Sequence, residues 1–153
     1  MDFTQHQLGS FFYIVEVEKD FVEEVFNAYS ELKQFRVYLA SQDEIFERYT
    51  LNEYSVIIKP LISRSPKKKV LIKNKYRISI PSIEKILVDV YSDPITFYSI
   101  QGSELETIFE NAIKRYLINF TKLISYAKRR TKEVNIQNYL LDNFEDLVKD
   151  ILE

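Results

Sequence analysis

The sequence predicts an α/β protein: a mixed β-sheet with flanking helices, followed by a C-terminal helical bundle. Before residue 81, short runs rich in β-branched and aromatic residues alternate with helix-start signals. From Pro81 onward the apolar residues recur at steps of three and four, the period of an amphipathic helix. The chain is also 46% hydrophobic and 14% aromatic, which excludes a disordered protein. A length of 153 residues fits a single domain, residues 1–153, sheet-rich over 1–80 and helical over 81–153.

Residues 1–10 carry little pattern, and the chain reads as though it begins inside a larger unit. Strands are predicted near 11–17, 35–40, 54–61, 70–73 and 76–80. The first, Phe11 to Val17, is FFYIVEV. Asp20 and Glu23 then form a capping-box pattern before a helix whose stripe is Val22, Val25, Phe26, Tyr29 and Leu32. After the second strand, Ser41 and Glu44 repeat the pattern for a short helix with Ile45, Phe46 and Tyr49 inward. The strand over 54–61 has a continuous apolar run, Val56-Ile57-Ile58, which predicts a central position; the element order favours parallel crossovers. ISRSPKKK reads as a loop, and the last two strands as a hairpin turning at Asn74–Lys75.

Pro81 stops any helix from upstream, and Ser82 is positioned to N-cap a helix with Ile83, Ile86, Leu87, Val90 and Tyr91 on one stripe. Ser103 and Glu106 predict a third capping box. Behind it Leu105, Ile108, Phe109, Ala112, Ile113, Tyr116 and Leu117 predict a long helix buried along Leu105, Phe109, Ile113 and Leu117. Phe120, Leu123, Ile124 and Ala127 predict the next helix, ending in Lys128-Arg129-Arg130, where cations suit the C-terminal dipole. Val134 to Glu153 reads as helical with a break near Asp142, which with Glu145 would cap a last helix bearing Phe144, Leu147, Val148, Ile151 and Leu152.

Composition narrows the chemistry. The chain has no cysteine, hence no disulfide, thiolate metal site or cysteine nucleophile. Its single histidine, His6, has no partner in the sequence to orient it, and no metal-ligand spacing such as HExxH or DxDxDG occurs. Two glycines, Gly9 and Gly102, leave no phosphate-cradling loop. The expectation is a non-enzyme with no metal and no cofactor. No apolar run approaches transmembrane length and the start lacks a signal peptide's regions, so a soluble intracellular protein without a membrane partner is expected.

The carboxylates Glu16 and Glu18, with Lys19, stand at the end of the first strand, where nucleases gather acids around Mg²⁺. The acid–x–Lys spacing is not met. Sharing one strand face, the two glutamates also fit a solvated edge, so a degenerate nuclease-like core and a plain edge both stay open. Glu84, Lys85 and Asp89 lie on the polar side of their helix. Lys85 and Asp89 are i,i+4, which suggests a surface ion pair; Asp89 also flanks the apolar stripe, where it can hold a neighbouring segment by accepting hydrogen bonds.

The charge is arranged in blocks. Residues 1–53 carry 4 basic and 11 acidic side chains, residues 59–77 carry 8 basic and none acidic, and residues 78–153 carry 9 and 12. Arg64, Lys67, Lys68, Lys69, Lys73, Lys75 and Arg77, with Tyr76 among them, form a cationic loop and hairpin on which Lys73, Lys75 and Arg77 are expected to share a face. Uncompensated like charges cost stability, which points to an anionic partner or to solubility. Lys128, Arg129, Arg130 and Lys132 make a second cluster, or simply complement a helix end.

One resemblance runs along most of the chain. Pro81-Ser82, the Glu84-Lys85 pair, Leu87-Val88-Asp89 and the terminal Tyr126-Ala127-Lys128-Arg129-Arg130 resemble, in order and spacing, the AbiEi-type antitoxin family of type IV toxin–antitoxin systems, in particular its Bacteroidetes-type members. The likeness extends upstream through HQLGSFFYIVEVEK and VIIKPLISR. It makes Pro81, Glu84, Lys85 and Asp89 family-motif positions. It implies a bacterial cytoplasmic antitoxin effector domain, used in phage defence against a nucleotidyltransferase-type toxin, with which it need not form a stable complex. Such proteins are transcriptional regulators that repress their own operon through an N-terminal winged helix. Nothing before residue 1 supplies that helix, so DNA binding is expected to be weak and sequence-independent. Besides the nuclease-like fold, a nucleic-acid-binding accessory domain and a dimerisation domain are the alternatives.

Overall fold

The computed structural model describes residues 12–40, 52 and 54–152. The short helix predicted over Ile45, Phe46 and Tyr49, its Ser41–Glu44 cap, and His6 lie outside them. The described residues form two compact units, one ending at Ile62 and one running from Ser63.

The first unit holds β1 (Tyr13–Val17), α1 (Val22–Glu31), β2 (Arg36–Leu39) and β3 (Ser55–Pro60). The strand order is β1-β3-β2, and both neighbours run parallel to β3. β3 is therefore central, as its continuous apolar run requires: with a strand on each side, Val56, Ile57 and Ile58 are fully buried. Phe12, Tyr38 and Ala40 pack on Ile57, and Tyr13 and Tyr29 both approach the Phe35 ring. The expected capping box at Asp20 does not form. Lys19–Phe21 is a 3-10 turn closed by Phe21 N–H donating to Glu18 O at 2.9 Å, and α1 starts only after it.

The second unit opens with β4 (Lys67–Ile72) and β5 (Tyr76–Pro81), an antiparallel hairpin. The parallel and antiparallel pairings thus occupy two separate sheets rather than one mixed sheet. Both sides of β3 are taken by β1 and β2, whereas β4 finds its partner across a short, cheaply closed turn. The three lysines assigned to a loop are strand residues, since a two-stranded ladder leaves their side chains in solvent. The turn comes one residue earlier than expected: Lys73 and Asn74 both take positive φ, as primed hairpin turns demand, and Lys75 N–H donates to Ile72 O at 3.0 Å.

Helices α2 (Ile83–Ser92), α3 (Ser103–Arg115), α4 (Phe120–Arg129) and α5 (Glu133–Leu152) follow. Their shared core includes Leu87, Val88, Val90, Leu105, Ile108, Phe109, Ala112, Leu123, Tyr126, Ile136, Leu140 and Val148. Phe109 sits edge-on to Tyr139 and stacked on Phe144, with ring centroids 5.2 and 6.4 Å apart. Phe144 has non-helical φ/ψ inside α5, a kink close to the break expected at Asp142. The Ser103–Glu106 box is absent, because Gly102, at φ 64°, occupies the N-cap and Ser103 is already helical. That positive φ suits glycine. The long helix also ends sooner than its stripe suggests. Tyr116 is extended, Ile113 is half-buried and Leu117 is 100% exposed. Among the described residues no helix is long and apolar enough to cross a membrane.

Candidate anion-binding surface

The hairpin register sorts its side chains, because directly opposed residues share a face. Lys67, Lys69 and Leu71 oppose Pro81, Ser79 and Arg77 on one face; Lys68, Val70 and Ile72 oppose Ile80, Ile78 and Tyr76 on the other. Lys73 and Lys75 belong to the turn, so they do not share a strand face with Arg77. Lys67, Lys68, Lys69, Lys73, Lys75 and Arg77 are all exposed. No acidic residue occurs between Lys59 and Arg77, so the cations of this segment have no counter-charge within it.

The root of this hairpin is fastened to the helices. Ser82 N–H donates to Pro66 O at 3.0 Å, closing the end opposite the turn. Arg129 of α4 donates from Nη2 to the carbonyl oxygen of Arg64 at 2.9 Å, and its guanidinium lies 5.7 Å from the Tyr126 ring centroid. The two basic clusters, 65 residues apart in the chain, therefore meet here. Lys128, exposed on α4, extends the cationic surface beyond the loop. Arg130 does not join it: only 16% exposed, it turns inward with Nε 3.8 Å from Asp89 Oδ1.

Behind the hairpin root lies a polar network built by α2. Lys85, 2% exposed, donates from Nζ to Asp89 Oδ2, and Tyr126 Oη donates to Asp89 Oδ1 at 2.8 Å. The Lys85 ammonium also stands 5.6 Å from the Tyr126 ring centroid. Burial first, then the Asp89 charge and hydrogen bond, push the Tyr126 phenol well above its ordinary pKa, while a hydrogen bond from buried Ser65 works the other way. The Lys85–Asp89 pair is thus not a surface pair, and Asp89 does hold a neighbouring segment, α4. A lysine between Glu84 and Leu87 gives no sign in sequence that a tyrosine 41 residues further on covers it.

Glu84 fixes the other end of the same helix pair. Its Oε1 accepts from Asn119 N–H at 3.0 Å and its Oε2 from the Ser82 hydroxyl at 2.5 Å. Burial alone would raise this carboxyl, but hydrogen bonds from Ser82, the Asn119 amide and its own backbone amide, with the nearby Lys122 charge, hold it below the ordinary range. Asn119 in turn caps α4 by accepting from Lys122 N–H at 2.9 Å. Ser82 does occupy the N-cap of α2, although its hydroxyl serves Glu84 rather than a backbone amide. Glu84, Lys85 and Asp89 therefore join α2 to α4, and Pro81 ends β5 just before them. Tyr126, Ser65 and Asn119 complete the arrangement. Tyr126 belongs to the terminal string of the resemblance and Ser65 to the predicted ISRSPKKK loop, but neither string assigns them to this network.

Glu16 and Glu18 do not share a strand face. Glu16 is the penultimate residue of β1, in register with Lys59 of β3, while Glu18 lies past the strand end, capping the 3-10 turn. An open groove of about 680 Å³ between α3 and α5 is lined, among the described residues, by Glu106, Glu110, Asp142, Glu145 and Asp146 with the cation Lys114, a predominantly negative lining that repels phosphates.

The fold and this surface define a small α/β protein that displays a cationic β-hairpin from a helical base. The chain belongs to the DUF6577 family, described as a family of unknown function, which matches residues 1–146. No curated protein matches the chain, and no solved structure does.

Proposed function

We propose that this chain is a non-catalytic binding module of the bacterial cytoplasm that engages an anionic partner through its cationic hairpin. Its proposed setting is that of an antitoxin counteracting a nucleotidyltransferase-type toxin. The observation that carries the binding reading is the exposed β4–β5 hairpin, rooted by Arg129 on Arg64 and free of acidic side chains. Six exposed like charges on one hairpin are self-repelling, and an anionic partner removes that repulsion. The setting rests on the resemblance alone: the order of Pro81, Glu84-Lys85, Leu87-Val88-Asp89 and Tyr126-Ala127-Lys128-Arg129-Arg130.

Co-expression with a toxin-type nucleotidyltransferase encoded beside it tests the proposal. The parent chain is expected to restore growth, and the triple variant Lys67→Glu, Lys68→Glu, Lys69→Glu to lose that protection while melting at the same temperature. Protection by the triple variant equal to the parent's overturns the role of the hairpin. Failure of the parent to protect overturns the antitoxin setting.

The second reading is an accessory nucleic-acid-binding domain, favoured by the meeting of the two basic clusters at Arg64 and Arg129. Contacts to phosphates alone give dissociation constants of about 10⁻⁴ to 10⁻⁶ M and fall steeply with salt.

A further inference from the structure

The second face of the hairpin carries more than charge. Ile72, Tyr76 and Ile78 share it and remain 42%, 57% and 39% exposed, beside Lys68 and the turn lysines Lys73 and Lys75. Lys75 Nζ stands 5.1 Å from the Tyr76 ring centroid. A hairpin of two strands gains little stability by itself, and large side chains left in water along it add nothing to that stability.

We infer that this face binds single-stranded nucleic acid, with bases packed on Tyr76, Ile72 and Ile78 and phosphates held by Lys68, Lys73 and Lys75. The inference rests on the binding module proposed above and names the chemical class of its ligand.

Three ligands compete for such a face, and the residues separate them. A duplex offers phosphates, but its bases are stacked away from an apolar side chain. An anionic membrane would have to receive the projecting end of the hairpin, and that end is Lys73-Asn74-Lys75, which resists burial in hydrocarbon. An acidic protein segment neutralises the lysines and leaves the Tyr76 ring without a flat partner. An unpaired strand supplies regularly spaced negative charge and flat apolar rings together, the combination that aromatic side chains interleaved with cations recognise.

The test is fluorescence anisotropy of the full chain with labelled oligothymidylate and with a duplex of equal length. The expected result is tighter binding of the single strand. Tyr76→Ala is expected to weaken it about tenfold, as for one base unstacked from one ring, leaving duplex binding unchanged. Tyr76→Phe keeps the ring and is expected to bind as the parent does. Because Tyr76 is exposed, an unchanged thermal melt of both variants separates lost binding from lost folding. Equal affinity for the two nucleic acids, or no effect of Tyr76→Ala, overturns the inference. So does binding to phosphatidylglycerol vesicles in place of the oligonucleotide. If the parent binds no oligonucleotide while the triple lysine reversal still abolishes toxin protection, the inference fails and the binding module stands on a protein partner. If that reversal changes neither readout, both fail.

Discussion

Tyr126 donates its hydroxyl proton to Asp89 at 2.8 Å, joining α4 to α2 over a sequence separation of 37 residues. The same carboxylate accepts from Lys85 and lies 3.8 Å from the Arg130 guanidinium, so one side chain gathers three partners. At 15% exposure, Asp89 has little water to replace any of them.

Asp89→Asn takes away the carboxylate to which the buried Lys85 ammonium donates. The expected loss is about 3–5 kcal/mol, the usual consequence of removing one partner of a buried pair. Urea denaturation measures it. Adding Lys85→Met to the same chain is expected to recover most of the loss, because the buried charge is then gone. A double variant no more stable than Asp89→Asn refutes the account.

Tyr126→Phe keeps the ring under Lys85 and Arg129 and removes one hydrogen bond to a charged acceptor. A smaller loss is expected, about 1–3 kcal/mol. Hydrogen exchange gives a second readout, with faster exchange expected at the amides around Ser65, which the same hydroxyl holds.

Phe109 and Leu117 belong to one predicted stripe and behave oppositely. Phe109→Ala empties a fully buried aromatic site and is expected to cost about 3–5 kcal/mol. Leu117→Ala removes a side chain that touches only solvent, and the denaturation midpoint is expected to stay where it was.

Glu84 gives the fold an acid-side dependence. Its pKa in the folded chain lies below the ordinary 4.5. The unfolded chain therefore takes up the proton first as pH falls. The contribution of this carboxylate is complete above the ordinary value and disappears as pH drops through the lower, folded one. Comparing Glu84→Gln with the parent, the stability difference is expected to be large near neutrality and to shrink below pH 4.5. A difference independent of pH excludes the carboxylate as its source.

Periodicity made the helices legible, and the unbroken Val56-Ile57-Ile58 run placed β3 in the centre. The error at Leu117 has the same origin. The three-and-four spacing continues across the junction from α3 to α4, where neither proline nor glycine marks a stop. Asn119 was the available signal, an N-cap residue one position before Phe120. The capping boxes at Asp20 and Ser103 failed because an adjoining 3-10 turn and a glycine took over the helix starts. The candidate surface was legible in part. Charge counting found the hairpin, but the meeting of Arg129 with Arg64, the inward turn of Arg130 and the burial of Lys85 depend on contacts between distant segments. No local pattern encodes them.

The hairpin meets the rest of its unit at its root, through Arg64 to Arg129 and Ser65 to Tyr126, and its outer strand residues enter no buried core. Natural variation can therefore act on the two parts independently. Exchanges from Lys67 to Ser79 alter the exposed cationic surface without touching the α2–α4 joint, whereas exchanges at Glu84, Lys85, Asp89 or Tyr126 are judged by folding first. Grafting a foreign hairpin between Pro66 and Ser82 is accordingly a route to a new surface on an unchanged base.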